Sequence, residues 1–132
     1  MFLQLQQHSF LLGKRPNGFT EHFYTEWDDG LGKEKIGLFL VLSIASTQIP
    51  GMEVAREAFQ LLQDHFLHDL SGDPYDRFES ALREINVMVN EKEKELGIKF
   101  VPNVHVVCGV VQKDMLFLSQ RGEAQGYLVR KR

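Results

Sequence analysis

The chain has 132 residues, 43% of them hydrophobic and 25% charged, with a net charge of −3. That balance fits one soluble domain large enough for a real core, and the small charge excludes electrostatic steering toward nucleic acid or an anionic membrane. The lone cysteine, Cys108, excludes an internal disulfide framework.

Phe2 to Leu12 reads as a strand ending in the apolar run Phe10, Leu11 and Leu12. Gly13 to Gly18, with Pro16 and Asn17, is a loop. Phe19 to Trp27 reads as a second strand rich in aromatics (Phe19, Phe23, Tyr24 and Trp27), which are expected to be core. Asp28, Asp29, Gly30 and Gly32 then form a turn. Those two aspartates sit in a glycine-rich loop but lack the alternating ligands and closing Glu of a calcium loop, so a solvated hairpin turn is expected. Ile36 to Ile44 is a continuous apolar run, as in a buried central strand.

Two helices follow. The first is expected from about Met52 to Leu70, with Val54, Ala55, Ala58, Phe59, Leu62, Phe66 and Leu70 at helical spacing and Ser71-Gly72 ending it. His65 and His68 have a usable metal-ligand spacing but no strong partner motif, and read as surface residues. Asp73 offers an N-cap with Pro74 at the first helical position. The second helix runs to about Leu96 on the stripe Phe78, Ala81, Leu82, Ile85, Met88 and Val89, with Gly97 as its cap. Its end, Glu91 to Glu95, reads as a solvated face.

The remainder reads as β. Ile98 to Val101 leads into Val104 to Gln112, Lys113-Asp114 turns, and Met115 to Gln120 and Gly126 to Arg130 follow as two strands joined near Arg121-Gly122. The valine-rich surroundings of Cys108 mark it as a buried small hydrophobe. Arg130, Lys131 and Arg132 form a solvated charged terminus. Strands and helices in separate blocks imply an α+β fold: antiparallel sheet with two long packed helices in a single domain over 1–132. Two helices can cover one face of one sheet. The other face needs a second sheet, a partner or solvent-tolerant side chains. No run reaches the roughly 20 apolar residues of a membrane span, and no signal peptide opens the chain, so a cytoplasmic location is expected.

Three stretches resemble the N-terminal half of the metal-dependent type 2C serine/threonine protein phosphatases. Gln6-Gln7-His8-Ser9-Phe10 stands where that family has Asn-Glu-Asp, a small residue and an aromatic. Leu38 to Gln48 stands where an apolar strand ends in Asp-Gly-x-Gly-Gly-His and a helix follows. Leu116 to Arg130 stands where a strand leads into Gly-Asp-Ser-Arg, here Gly122-Glu123-Ala124-Gln125, with Gly126, Tyr127, Leu128 and Arg130 in step. The resemblance implies a partial αββα sandwich and, in the family, two Mn²⁺ or Mg²⁺ ions that activate a water against a phosphoserine or phosphothreonine. It also implies that the site is degenerate. His8 replaces a metal-binding Asp, Gln7 a Glu, Ser43 the bridging Asp, and Ile44 the Gly whose carbonyl binds metal. Ser46, Thr47 and Gln48 replace the two glycines and the His.

No metal, cofactor or catalytic residue is therefore expected. His8 is an ordinary strand residue, and Glu123, the acid left in the three stretches, is with His8 the remaining binding candidate. The expected function is a catalytically inactive, pseudophosphatase-like module with a scaffold, regulatory or interaction role, engaging a protein partner or a second copy, and a segment of a longer chain. The alternatives are a divergent phosphatase completed by a missing C-terminal segment or a partner chain, and an unrelated α+β binding domain.

Overall fold

The computed structural model describes residues 19–29, 34–101, 103–122 and 126. The expected strand at Phe2 to Leu12, with Gln7 and His8, lies outside them, as do Glu123 and all but the first residue of the strand expected from Gly126. Gly126 itself belongs to no strand.

The described residues form an α+β fold in the order β1 (Phe19–Asp28), β2 (Lys35–Ile44), α1 (Gly51–Leu67), α2 (Pro74–Leu96), β3 (Val104–Gln112) and β4 (Met115–Arg121). The strands make one antiparallel sheet in the order β1-β2-β3-β4. The helical hairpin leaves the sheet after β2 and returns to it at β3, so two strands far apart in sequence are neighbours in space.

The pleat of β2 decides where the core lies. Side chains alternate between faces along a strand, and Ile36, Leu38, Leu40, Leu42 and Ile44 are all buried toward the helices. Phe39, Val41 and Ser43 point to the opposite face. On α1, Val54, Ala55, Ala58, Phe59, Leu62 and Phe66 form the buried stripe, and Phe59 stacks on Phe23 of β1 with ring centroids 5.3 Å apart. Phe19, Phe23 and Trp27 pack against this core. Tyr24 sits one residue out of phase, opposite Phe39, and so belongs to the other face.

Helix α1 stops three residues earlier than the periodicity predicts. The Asp69 carboxylate accepts hydrogen bonds from the Ser71 amide at 3.0 Å and the Ser71 hydroxyl at 2.6 Å. Such a local turn competes with the next helical turn, and leaves Leu70 beyond the helix while still packed on the core. Helix α2 begins and ends as its residues predict. Asp73 accepts from the amides of Tyr75 and Asp76. Gly97, at φ +68°, closes the C-terminus in the left-handed conformation that glycine adopts without steric cost.

Two expectations change. Ile98 to Val101 is not a strand, because its own backbone groups are used in a cap and a turn. Ile98 N donates back to Glu93 O, and Asn103 N donates to Phe100 O. Phe100 is instead driven into the core, 1% exposed. The Glu91 to Glu95 segment is not simply a solvated face either. The Lys92 side chain is only 14% exposed, and its ammonium reaches across to Glu53 (2.6 Å) and Glu57 (3.7 Å) of α1, tying the two helices together. The stem of Lys92 lies along the helix pair while its head stays at the acidic edge.

Removing the α2 cap by Asp73→Ala is expected to lower stability by about 1 kcal/mol. Leu62→Ala, at a fully buried position, is expected to cost about 2–5 kcal/mol. Urea denaturation followed by circular dichroism measures both.

Candidate functional site

The junction between β2 and α1 is the part of the described fold where the resemblance would place chemistry. Strand pairing fixes its geometry. Ser43 lies between Thr20 of β1 and His105 of β3, and the Thr20 hydroxyl donates to Ser43 Oγ at 3.3 Å. Ile44, the next residue, turns to the other face and is completely buried. Ala45 N donates to Asn103 O at 2.9 Å, locking the strand end to the segment before β3. Gln48 N donates to Ser46 Oγ in a local turn. Gly122, at φ +76°, lies so close to His105 that a side chain there would collide with the imidazole.

This arrangement is neutral. A hard divalent cation needs several oxygen ligands, with carboxylates providing the charge. Ser43 brings only a neutral hydroxyl, already engaged by Thr20, and Ile44 can bring no charge. The Mn²⁺ or Mg²⁺ implied by the resemblance does not fit these residues. Among the described residues, no group of three or more His, Cys, Asp or Glu side chains converges to hold a metal ion. His65 lies in the last turn of α1 and His68 at its C-cap. Asp29 N donates to Glu34 O across the β1–β2 connection.

Three features of the fold are invisible in the motifs. The first is the sheet face away from the helices. It carries Tyr24, Phe39, Val41, Leu116 and Leu118 around the buried Val107, and no described helix or strand packs on it. Val41, Leu116 and Leu118 remain 42%, 48% and 42% exposed. Along its β1 edge the Tyr24 hydroxyl donates to Glu26 at 2.6 Å, and Glu26 pairs with Lys35 at 2.8 Å. Lys35 first, and Tyr24 second, hold the Glu26 carboxyl below its ordinary pKa.

The second is a buried polar relay at the opposite end of the sheet from Ser43. Arg77 of α2, 8% exposed, donates to Gln112 Oε1 at 3.0 Å and to Asp69 O at 3.4 Å. Gln112 in turn donates to Glu34. The guanidinium also lies over the Phe66 ring, 4.5 Å from its centroid, a favourable cation–π placement. Burial pulls the Arg77 pKa down, and Glu34, Asp69 and Asp73 oppose that shift.

The third is a cavity of about 370 Å³ between the helices and β2, β3 and β4, close to the Ser43 junction but on the helix side of the sheet. Helix α2 meets the sheet where Phe78 and Tyr75 pack on Phe117. Beyond that contact Leu82, Ile85 and Val89 stand off the strands and line the space. Its floor is built from the small side chains Val106, Cys108 and Ser119. Burial alone pushes the Cys108 thiol up to about 12, so it is protonated at neutral pH.

Comparison with known protein families, with curated proteins and with solved structures finds no match to this chain.

Arg77→Met is expected to destabilise the protein by about 1.5–3 kcal/mol, because Gln112 loses a charged donor in a buried place. Arg77→Lys is expected to restore little, since an ammonium cannot span Gln112 and Asp69 as a guanidinium fork does. Denaturant midpoints of the three proteins test this.

Proposed function

We propose that this chain is a catalytically inactive, type 2C phosphatase-like module that acts in the cytoplasm as a scaffold or interaction domain. One observation carries the reading: the junction of β2 and α1 joins a buried strand to a helix, as the resemblance implies, and holds no acid. Ser43 is hydrogen-bonded to Thr20, and Ile44 is buried in the core. Two-metal phosphoryl chemistry needs anionic oxygens at that point, both to hold the cations and to set the bridging water. A fold kept for packing after its site is lost has the pattern seen here, with intact apolar periodicity around substituted polar positions.

The open sheet face supports the interaction role. Leu116 and Leu118 of β4 lie on the same sheet face as Val41 of β2, and exposed apolar side chains grouped on one face mark surfaces that another protein covers. A second copy or a different protein would meet that need equally. No helix of the described residues is long and apolar enough to cross a membrane.

Incubation of the purified protein with an aryl phosphate and with phosphoserine and phosphothreonine peptides, with Mn²⁺ or Mg²⁺, tests the catalytic half of the proposal. No metal-dependent turnover above the buffer rate is expected. Turnover that needs the metal and disappears in His8→Ala or Glu123→Gln would replace this reading with that of a divergent phosphatase.

A further inference from the structure

We propose that the cavity between the helical hairpin and β2–β4 is a binding site for a free, unbranched aliphatic carboxylate, with its chain inside and its carboxylate at Arg121. The size comes first. An apolar cavity of about 150 Å³ holds a six-carbon ring, so one of about 370 Å³ holds a chain of roughly ten carbons.

The walls select an aliphatic tail. Leu40, Leu42, Leu82, Ile85, Val89 and Val106 supply them, and none offers a hydrogen bond. Water needs two to four polar partners to be stable in an enclosed space, so this lining favours hydrocarbon over solvent. The space is also built rather than accidental. The strand pairing puts Cys108 beside Ser119, small side chains in a place where larger ones would close it. Ala58 does the same from α1.

The rim selects the head group. Asn86 and Arg121 are exposed and belong to the same lining. Arg121 is the charged residue among the described ones that line the cavity, and no ion pair of Arg121 is found among the described residues. A guanidinium offers two parallel donors that match a carboxylate, and the side-chain amide of Asn86 adds a further donor. A ligand with an apolar body and one anionic end satisfies both regions at once. The site depends neither on the phosphatase likeness nor on the open sheet face.

The test uses the full chain with carbon-13-labelled methyl groups, titrated with decanoate and, separately, with decanol, both below the concentration at which they aggregate. Saturable shifts are expected for Leu82, Ile85, Val89 and Val106 methyls, and not for Val41, Leu116 and Leu118 on the opposite face. Decanoate is expected to bind about tenfold more tightly than decanol. Arg121→Gln, an exposed change that leaves the core intact, is expected to abolish that preference while leaving decanol binding unchanged. Ala58→Phe is expected to fill the space and remove both. The absence of saturable shifts, shifts confined to the opposite face, or equal affinity for decanoate and decanol in the parent protein would each overturn the proposal.

Discussion

The antiparallel pairing of β2 with β3 sets the position of every other part of this molecule. Each of the two strands brings its own local hairpin partner, β1 or β4, and the helical hairpin fills the sequence between them. Because the pairing is in continuous register from Ile36 opposite Gln112 to Ile44 opposite Val104, one pleat runs across the sheet and gives it two unlike faces. One is buried under α1 and α2. The other keeps apolar side chains without a described element on top of them. The candidate sites follow from this division. Ser43, at the end of β2, is held between β1 and β3 on the open face. The cavity sits over β3 and β4 on the helix face, where α2 leans on α1 more than on the sheet.

The sequence discloses the parts of this fold that obey a period or a cap. Ile36 to Ile44 is read as a strand from its unbroken apolar run. The two helices are found from their stripes, and Asp73-Pro74 and Gly97 mark the ends of α2 because cap chemistry is local. The differences arise where a tertiary contact or a competing local bond decides. Asp69 and Ser71 shorten α1 through a turn that periodicity does not register. Lys92 looks like one more charge in a solvated run, yet it spans to Glu53 because α1 happens to lie beside it. Phe100 reads as part of a strand and becomes a core plug because the backbone around it serves a cap and a turn.

The candidate site is legible to a different degree. The absence of acids at Ser43 and Ile44 is plain from the residues, and the structure adds where their side chains go: one accepts a hydrogen bond from Thr20 and the other is core. Arg77, Gln112 and Glu34 carry no motif. An arginine immediately before a buried phenylalanine on an amphipathic helix, and a glutamine closing a valine strand, are weak signals that gain meaning only when α2 is placed over the end of β3. The cavity is less legible still, since it arises where the short side chains Val106, Cys108 and Ser119 meet a helix that stands off them. No periodicity records such a gap.

The insertion of the helical hairpin between paired strands bears on how the chain acquires its structure. The β1–β2 and β3–β4 hairpins join near neighbours, and α1 with α2 form a third local unit. The β2–β3 ladder, in contrast, must close a loop of about 60 residues, with an entropic cost that rises slowly with length but is met before any cross-strand contact rewards it. Docking of α1 and α2 against each other shortens that search, because their tips deliver the ends of β2 and β3 to the same place. The Lys92 contact to Glu53 lies at the tip nearest those ends. The interaction that looks most peripheral in the finished fold is thus well placed to govern the rate at which the central ladder forms.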